Sequence, residues 1–302
     1  MTPKIIAIVG PTASGKSALA VRLARKFNGE IISADSRQVY RDLDVGSGKL
    51  GVRERDGIKH HLLDVASPKR IFTAVRYKKL AEKAIKDVVR RGKLPIFCGG
   101  TGFYLDAVLG RVIILPVPPD HQLRARLERL GAEKLFEKLK ILDPARAEKI
   151  DRHNRRRLIR AIEITTAPLK GSTLTEKGRT LFRNYSDVLK IGLKMPDDNL
   201  KTRIKKRLRR RLKRGLIAEV RRLRARGGLS WQRLDGFGLD YRYVSRYLRG
   251  LLTKQEMISQ LETAIWHYAK RQMTWFKRDQ NINWVIKPAG AERLIQKFLD
   301  HT

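Results

Sequence analysis

Residues Gly10, Pro11, Thr12, Ala13, Ser14, Gly15, Lys16 and Ser17 spell the pattern G-x-x-x-x-G-K-[ST], and their flanks restrict what they can fold into. Upstream, Lys4–Val9 is an apolar run after its first residue and predicts a buried strand. Downstream, Lys16 to about Phe27 puts Leu19, Ala20, Leu23 and Ala24 on one helical face. A glycine-rich turn between a strand and a helix can curl its backbone N–H groups around phosphate oxygens, and the helix N-terminus adds the positive end of its dipole. The pattern gives Lys16 to the terminal phosphates and Ser17 to a magnesium ion. A phosphate ester is therefore expected as ligand; which one the loop alone leaves open.

The first 110 or so residues alternate strand and helix, the signature of a parallel sheet flanked by helices. Glu30–Ser33 reads as a strand leading to Asp35, and Thr73 as the cap of a helix with Val75, Ala81, Ala84, Ile85 and Val88 on its apolar side. Leu94–Cys98 reads as a strand ending in Gly99-Gly-Thr-Gly102. Ligands of open α/β sheets bind at the carboxyl ends of strands, so Gly10–Ser17, Asp35–Tyr40 and Gly99–Gly102 are expected to converge. The fold class expected is thus α/β, a P-loop NTPase-like core from residues 1–114 and 186–302 that ends in helices. Residues 115–185 read as a helical insertion, with helices at Gln122–Leu130 and Ala132–Leu142. Val188–Leu193 returns to the sheet, Ile282–Ile286 forms a last short strand, and a closing helix starts at Ala289.

Charge narrows the class of partner. Lys plus Arg number 67 against 30 Asp plus Glu, a formal net charge of +37 over 302 residues, which calls for a polyanion such as nucleic acid. A 42% hydrophobic content still allows a substantial core. Arg152–Arg160 is one basic cluster, and Arg203–Arg214 carries nine basic residues in twelve around an Ile204, Leu208, Leu212 stripe. That spacing predicts a helix with one buried edge and a cationic arc able to follow a phosphate backbone. Tyr268–Arg278 interleaves aromatic and basic residues, although Trp275 and Phe276 suit a helix core. The single Cys98 lies in an apolar strand and reads as packing in a reducing compartment. The six histidines lack metal-ligand spacing, and no membrane segment is expected.

Taken together, these motifs resemble the tRNA dimethylallyltransferases, a family of isopentenyl (prenyl) transferases. The resemblance runs through Gly10–Ser17, Ile31–Tyr40 (Ile-Ile-Ser-Ala-Asp-Ser-Arg-Gln-Val-Tyr), Asp44-Val-Gly46 and His60-His-Leu-Leu-Asp64. It continues through Gly99-Gly-Thr-Gly-Phe-Tyr104, Arg157-Leu-Ile-Arg-Ala-Ile-Glu163 and Ala269-Lys-Arg-Gln-Met-Thr-Trp275. It implies transfer of a dimethylallyl group from dimethylallyl diphosphate to N6 of adenine 37 of tRNA, beside the anticodon. The loop Gly10–Ser17 then holds the donor's pyrophosphate in place of a nucleoside triphosphate, with Mg2+ on Ser17. By the same resemblance Asp35 is the general base, with Thr101, Lys16 and Arg207 completing the catalytic set. Asp35, Ser36, Arg37, Gln38 and Thr101 meet the flipped base or its neighbours, and Arg124, Arg156, Arg157 and Arg160 hold the anticodon stem-loop, while Leu158 and Ile159 pack. A cytoplasmic monomer is implied.

Some positions depart from the family pattern. Ser17 stands where Thr is usual, Arg211 where an apolar residue is, and Gly238-Leu-Asp-Tyr-Arg242 where a Gly-Tyr-Lys-Glu-like segment is common. The connection after Glu163 (Ile-Thr-Thr-Ala-Pro-Leu) reads as shorter than usual. Two rivals stay in view: a phosphate-loop kinase and a non-catalytic RNA-binding protein. The first lacks an acidic residue after strand Leu94–Cys98, which ends in Gly-Gly-Thr; against the second stand the intact Lys16, Ser17, Asp35 and Thr101.

Overall fold

The computed structural model describes residues 3–112, 114–115, 117–167 and 185–300. They form two compact units, Met1–Val112 with Asn184–Thr302, and Ile113–Arg183.

The larger unit is built on six parallel strands: β1 (Ile5–Val9), β2 (Gly29–Ser33), β3 (His60–His61), β4 (Leu94–Cys98), β5 (Val188–Leu193) and β6 (Ile282–Val285). Their order is β3-β2-β4-β1-β5-β6. β1, at the centre, pairs Ile6 with Ile96 of β4 and with Leu189 of β5. All five residues of β1 are buried, as two-sided coverage of a parallel sheet requires. Ile6 and Ile8 face α1 (Lys16–Lys26) and α14 (Pro288–Asp300), where Leu19, Leu23 and Ile295 meet them in one apolar cluster. Ile5, Ala7 and Val9 point to the other face. It is covered by α3 (Ala74–Arg90), α4 (Gly102–Val108) and the helices α9 to α13. These last are α9 (Asp197–Lys213), α10 (Leu216–Ala225), α11 (Trp231–Phe237), α12 (Leu239–Leu248) and α13 (Lys254–Phe276). A short helix α2 (Val52–Arg55) precedes β3.

Thr73 caps α3 as expected, its hydroxyl accepting from the Arg76 N–H at 3.2 Å. The buried side of α3 is Tyr77, Ala81, Ala84, Ile85 and Val88, whereas Val75 is 52% exposed. Val75 lies in the first turn, two residues before Tyr77, and rotates off that stripe. The last strand stops at Val285, and Ile286 is left exposed. The stripe expected on α9 is present: Ile204 and Leu208 are buried, and Leu212 packs at its edge.

The smaller unit holds α5 (His121–Leu127), α6 (Ala132–Leu142), α7 (Pro144–Ala147) and α8 (Arg155–Thr166) around Leu127, Leu135, Leu139, Leu158 and Ile162. Helix α5 ends three residues short of the expected Leu130, which packs against the cluster from the following turn. Leu158 and Ile159 are buried. The connection after Glu163 leaves the described residues at 168.

Candidate functional site

Between β1 and α1 the backbone takes positive φ at Gly10 (145°), Ala13 (65°) and Gly15 (98°). Gly15 immediately precedes α1, and its left-handed conformation is one that a side chain would strain. The curl leaves the N–H groups of Ala13 and Gly15 without an intramolecular partner among the described residues. The Lys16 ammonium folds back onto the Pro11 carbonyl at 2.9 Å. Burial lowers its pKa to about 8, a cost that an arriving anion would offset. Ser17 stands beside it, next to the Cys98 thiol. Burial pushes that thiol up to about 11, so Cys98 packs and is no thiolate nucleophile.

Above the loop lies helix α9. Arg207 donates to the Thr12 hydroxyl at 3.1 Å, and Arg203 donates to the Ser14 carbonyl at 3.3 Å. Loop and helix enclose a cavity of about 620 Å³ lined by Lys16, Ser17, Arg203, Lys206, Arg207 and Arg211, among others. Of its acidic side chains, Asp44 and Asp64 share the buried Lys49 at 2.8 and 2.5 Å, and Glu54 lies 4.0 Å from Arg214. The charge of Arg211, and then burial, weakens the hold of Arg207 on its proton. The cavity is built for a compact polyanion.

On the other side of the loop, β2 and β4 deliver the second half of the site. One oxygen of Asp35 accepts from the Arg37 N–H at 2.8 Å and the Gln38 N–H at 3.4 Å, closing a turn. Its other oxygen has no partner among the described residues and is available as a proton acceptor. Thr101 accepts the Ser36 N–H on its hydroxyl at 3.1 Å, and its own N–H donates to the Ala34 carbonyl at 3.0 Å. Its hydroxyl hydrogen remains available to a ligand. Gln38 accepts from the Ser33 hydroxyl at 3.1 Å. Tyr77 and Tyr104 stack at 4.0 Å near this carboxylate, and burial followed by the charge of Asp35 raises Tyr268 to about 12.

The two halves are joined by a residue to which sequence reading gave no role. Gln272 of α13 is buried; its oxygen accepts the Thr12 N–H at 2.8 Å and its nitrogen donates to the Gly100 carbonyl at 2.9 Å. A Cβ at Gly100 would lie 2.0 Å from that nitrogen, so glycine there is a matter of space. Trp275, one turn on, donates to Asp106 at 2.9 Å. Glu219 of α10 was missed likewise. It is buried, accepts the N–H groups of Asp44, Val45 and Gly46 at 2.9, 2.7 and 3.0 Å, and receives the Tyr241 hydroxyl at 3.0 Å. A signal existed for both, because each polar residue falls on the apolar stripe of its helix: Ile265, Ala269, Gln272, Phe276, and Leu216, Glu219, Val220, Leu223.

The larger unit therefore brings together Gly10–Ser17, Asp35–Gln38, Thr101 and Arg207. Arg124, Arg156, Arg157 and Arg160 belong to the smaller unit. There Arg124 and Arg160 both grip buried Glu163, with Arg124 at 2.7 and 2.8 Å, while Arg156 and Arg157 are exposed. Burial alone would raise Glu163, but the two guanidinium groups prevail and hold it at about 2.

The geometry has counterparts among known proteins. A profile of the IPP transferase family matches residues 38–279. A tRNA dimethylallyltransferase from Anoxybacillus flavithermus is 41% identical over 94% of this chain and 90% of its own length. A tRNA dimethylallyltransferase 2 from Pelobacter propionicus is 43% identical over 95% and 90%. Among solved structures, a tRNA isopentenylpyrophosphate transferase from Bacillus halodurans superposes with a TM-score of 0.73 at 35% identity, covering 98% of this chain and 97% of that one. A eukaryotic dimethylallyltransferase described as acting on tRNA gives 0.75 at 27% identity over 94% and 74%.

Proposed function

The chain belongs to the IPP transferase family, and on that premise we propose how its residues transfer a dimethylallyl group to tRNA. The donor is dimethylallyl diphosphate, seated with its phosphates on Gly10–Ser17, and the acceptor is N6 of adenine 37, flipped out of the anticodon loop toward Asp35. The observation that carries this reading is a cation-lined phosphate loop tied through Gln272 to the Gly100–Thr101 loop, whose Thr101 in turn holds the Asp35 turn with one carboxylate oxygen free.

An exocyclic adenine amine is a weak nucleophile because its lone pair is delocalised into the ring. As that lone pair forms the bond to the allylic C1 of the donor, an N6 proton passes to the free oxygen of Asp35. The C1–O bond breaks and its electrons leave with the diphosphate. General-base help of this kind contributes ~10²–10⁴ in rate, roughly 3–5 kcal/mol of barrier. Lys16 exchanges the Pro11 carbonyl for the departing phosphates, and Arg207, held on Thr12, meets the charge that grows on them. The free hydroxyl hydrogen of Thr101 hydrogen-bonds in the reacting centre.

The residues fit magnesium carried in with the diphosphate. Among the described residues no three acidic, His or Cys side chains cluster to hold an ion, whereas the Ser17 hydroxyl lines the cavity beside Lys16. A bound magnesium ion would neutralise diphosphate charge.

For tRNA, Ser36, Arg37 and Gln38 meet the flipped nucleotide, and exposed Arg156 and Arg157, with Arg124 and Arg160, hold the stem-loop. The net charge of +37 favours such binding and makes it salt-sensitive. Among the described residues no helix is long and apolar enough to cross a membrane. A monomer acting in the cytoplasm completes the reading.

The test incubates the protein with magnesium, labelled dimethylallyl diphosphate and unmodified tRNA with adenine 3′ of the anticodon, beside a tube with labelled ATP. Label in tRNA from the prenyl donor, mapped to that adenine, is the expected result. Phosphate transfer from ATP without prenylation would replace the reading with a kinase.

A further inference from the structure

Arg207 and Arg211 lie one turn apart on α9, so both face the cavity above the phosphate loop. Each is one-sidedly engaged. Arg207 reaches the Thr12 hydroxyl with one terminal nitrogen. Arg211 gives one terminal nitrogen, at 3.0 Å, to both oxygens of buried Asp240. A strut between α9 and α12 would be expected to present its fork to the carboxylate with two nitrogens. Here the Nε of Arg211 is buried with no hydrogen-bond partner among the described residues, and its other terminal nitrogen makes no hydrogen bond to Asp240. That nitrogen and its counterpart on Arg207 converge on Gly48: a Cβ there would lie 2.4 Å from the one and 2.2 Å from the other.

Two like charges are thus held side by side, and the one carboxylate bonded to the pair, Asp240, is bonded to Arg211 alone. The hold of Arg207 on its proton is weakened chiefly by Arg211, as this crowding demands. On the cavity wall, Asp44 and Asp64 are engaged by Lys49 and Glu54 lies by Arg214, so none of the three is hydrogen-bonded to Arg207 or Arg211. Two guanidinium groups so placed suit an anion, and a tetrahedral phosphate offers several oxygens to both forks at once.

We propose that Arg211 is a second phosphate-binding arginine of the donor site, closing with Arg207 on the outer phosphate of the diphosphate, and that Asp240 aims it. Asp240 is a positioning residue: it fixes one arm of the guanidinium so that the remainder stands beside Arg207. This rests on the prenyl-diphosphate reading and adds to it a residue of the binding site.

The experiment titrates inorganic pyrophosphate into the full chain by calorimetry with magnesium present, and measures KM for the donor and for tRNA separately. Since R211L alone would strand a buried carboxylate, the principal variant is R211L/D240N, with R211K, D240N and R207L beside it and a melting curve for each. R211L/D240N is expected to bind pyrophosphate roughly 10–100-fold more weakly and to raise donor KM in step, with tRNA KM unmoved. R211K, which keeps the charge and loses the fork, should fall in between, and D240N should resemble it. Pyrophosphate binding within twofold of wild type in R211L/D240N, with R207L impaired, would make Arg211 a strut and overturn the proposal. Absence of pyrophosphate binding to the wild-type protein would instead remove the diphosphate reading itself.

Discussion

Gln272→Leu removes the amide that links the phosphate loop to the loop carrying Thr101 while keeping most of its volume. Two hydrogen bonds vanish, at 2.8 Å to Thr12 and 2.9 Å to Gly100. The Thr12 N–H is only partly buried and can turn to water, so its loss is worth about 1 kcal/mol. The Gly100 carbonyl bond is buried, and an acceptor left unpaired there costs about 1–3 kcal/mol. The total, roughly 2–4 kcal/mol, corresponds to a midpoint about 4–16 °C lower for a unit of this size. Kinetically, Thr12 and Thr101 are no longer held in fixed relation, and a misplacement of about 1 Å can cost ~10² in turnover. Thermal unfolding and two-substrate kinetics would measure both. Gln272→Glu is the sharper companion: it keeps the acceptor for Thr12 and loses the donor to Gly100, so it should retain the first bond only. A Leu variant that melts with the wild type and turns over within threefold would reduce Gln272 to a space-filler.

Asp35→Asn retains an oxygen for the Arg37 N–H but loses its basicity, so turnover should fall ~10²–10⁴ while tRNA affinity by filter binding stays within a few-fold; near-normal turnover would remove Asp35 as the base. Lys16 releases its proton near pH 8 without ligand, and bound diphosphate holds the proton to higher pH; donor affinity should therefore weaken above pH 8, by up to tenfold per pH unit, and a flat profile from 7.5 to 9.5 would contradict this. Glu163, held at about 2 against an ordinary 4.5, gives stability to the smaller unit that is present above pH 4.5 and lost as the pH falls toward 2; in Glu163→Gln, urea unfolding should lose that acid dependence. Neutralising Arg152, Arg155, Arg156 and Arg157 should weaken tRNA binding and flatten its log–log salt slope by up to about 3; an unchanged slope would return these arginines to solvent.

Much of the frame was legible because it is local. β1 and β4 are short apolar runs bounded by turn residues, and the loop between β1 and α1 carries its own pattern. Strand β3 was illegible, since His60 and His61 are only partly buried and join the sheet through backbone pairing with Ile31 and Ile32. Gln272 and Glu219 are a related case: their places on apolar stripes mark them as buried, but the backbone partners they serve, 172 and 173 residues away, are set by the fold and not by the local pattern. Two departures from the family pattern, Arg211 and the 238–242 segment, stand apart along the chain. In the fold they meet as the Arg211–Asp240 pair at 3.0 Å.

What the site holds in common is a division of labour between satisfied and unsatisfied groups. Lys49 takes Asp44 and Asp64, and Glu219 takes three backbone N–H groups, so these charges fasten elements together and have little left for a ligand. Around the cavity the account is left open. Lys16 rests on a carbonyl, Arg207 on a hydroxyl, Arg211 keeps a bare Nε, and Asp35 keeps one oxygen free. Unmet donors on one side of Gln272 and an unmet acceptor on the other are what a transfer reaction needs, because a leaving anion must be received on the first side and a proton on the second. The fully paired charges nearby keep both sets in place while they wait for substrate.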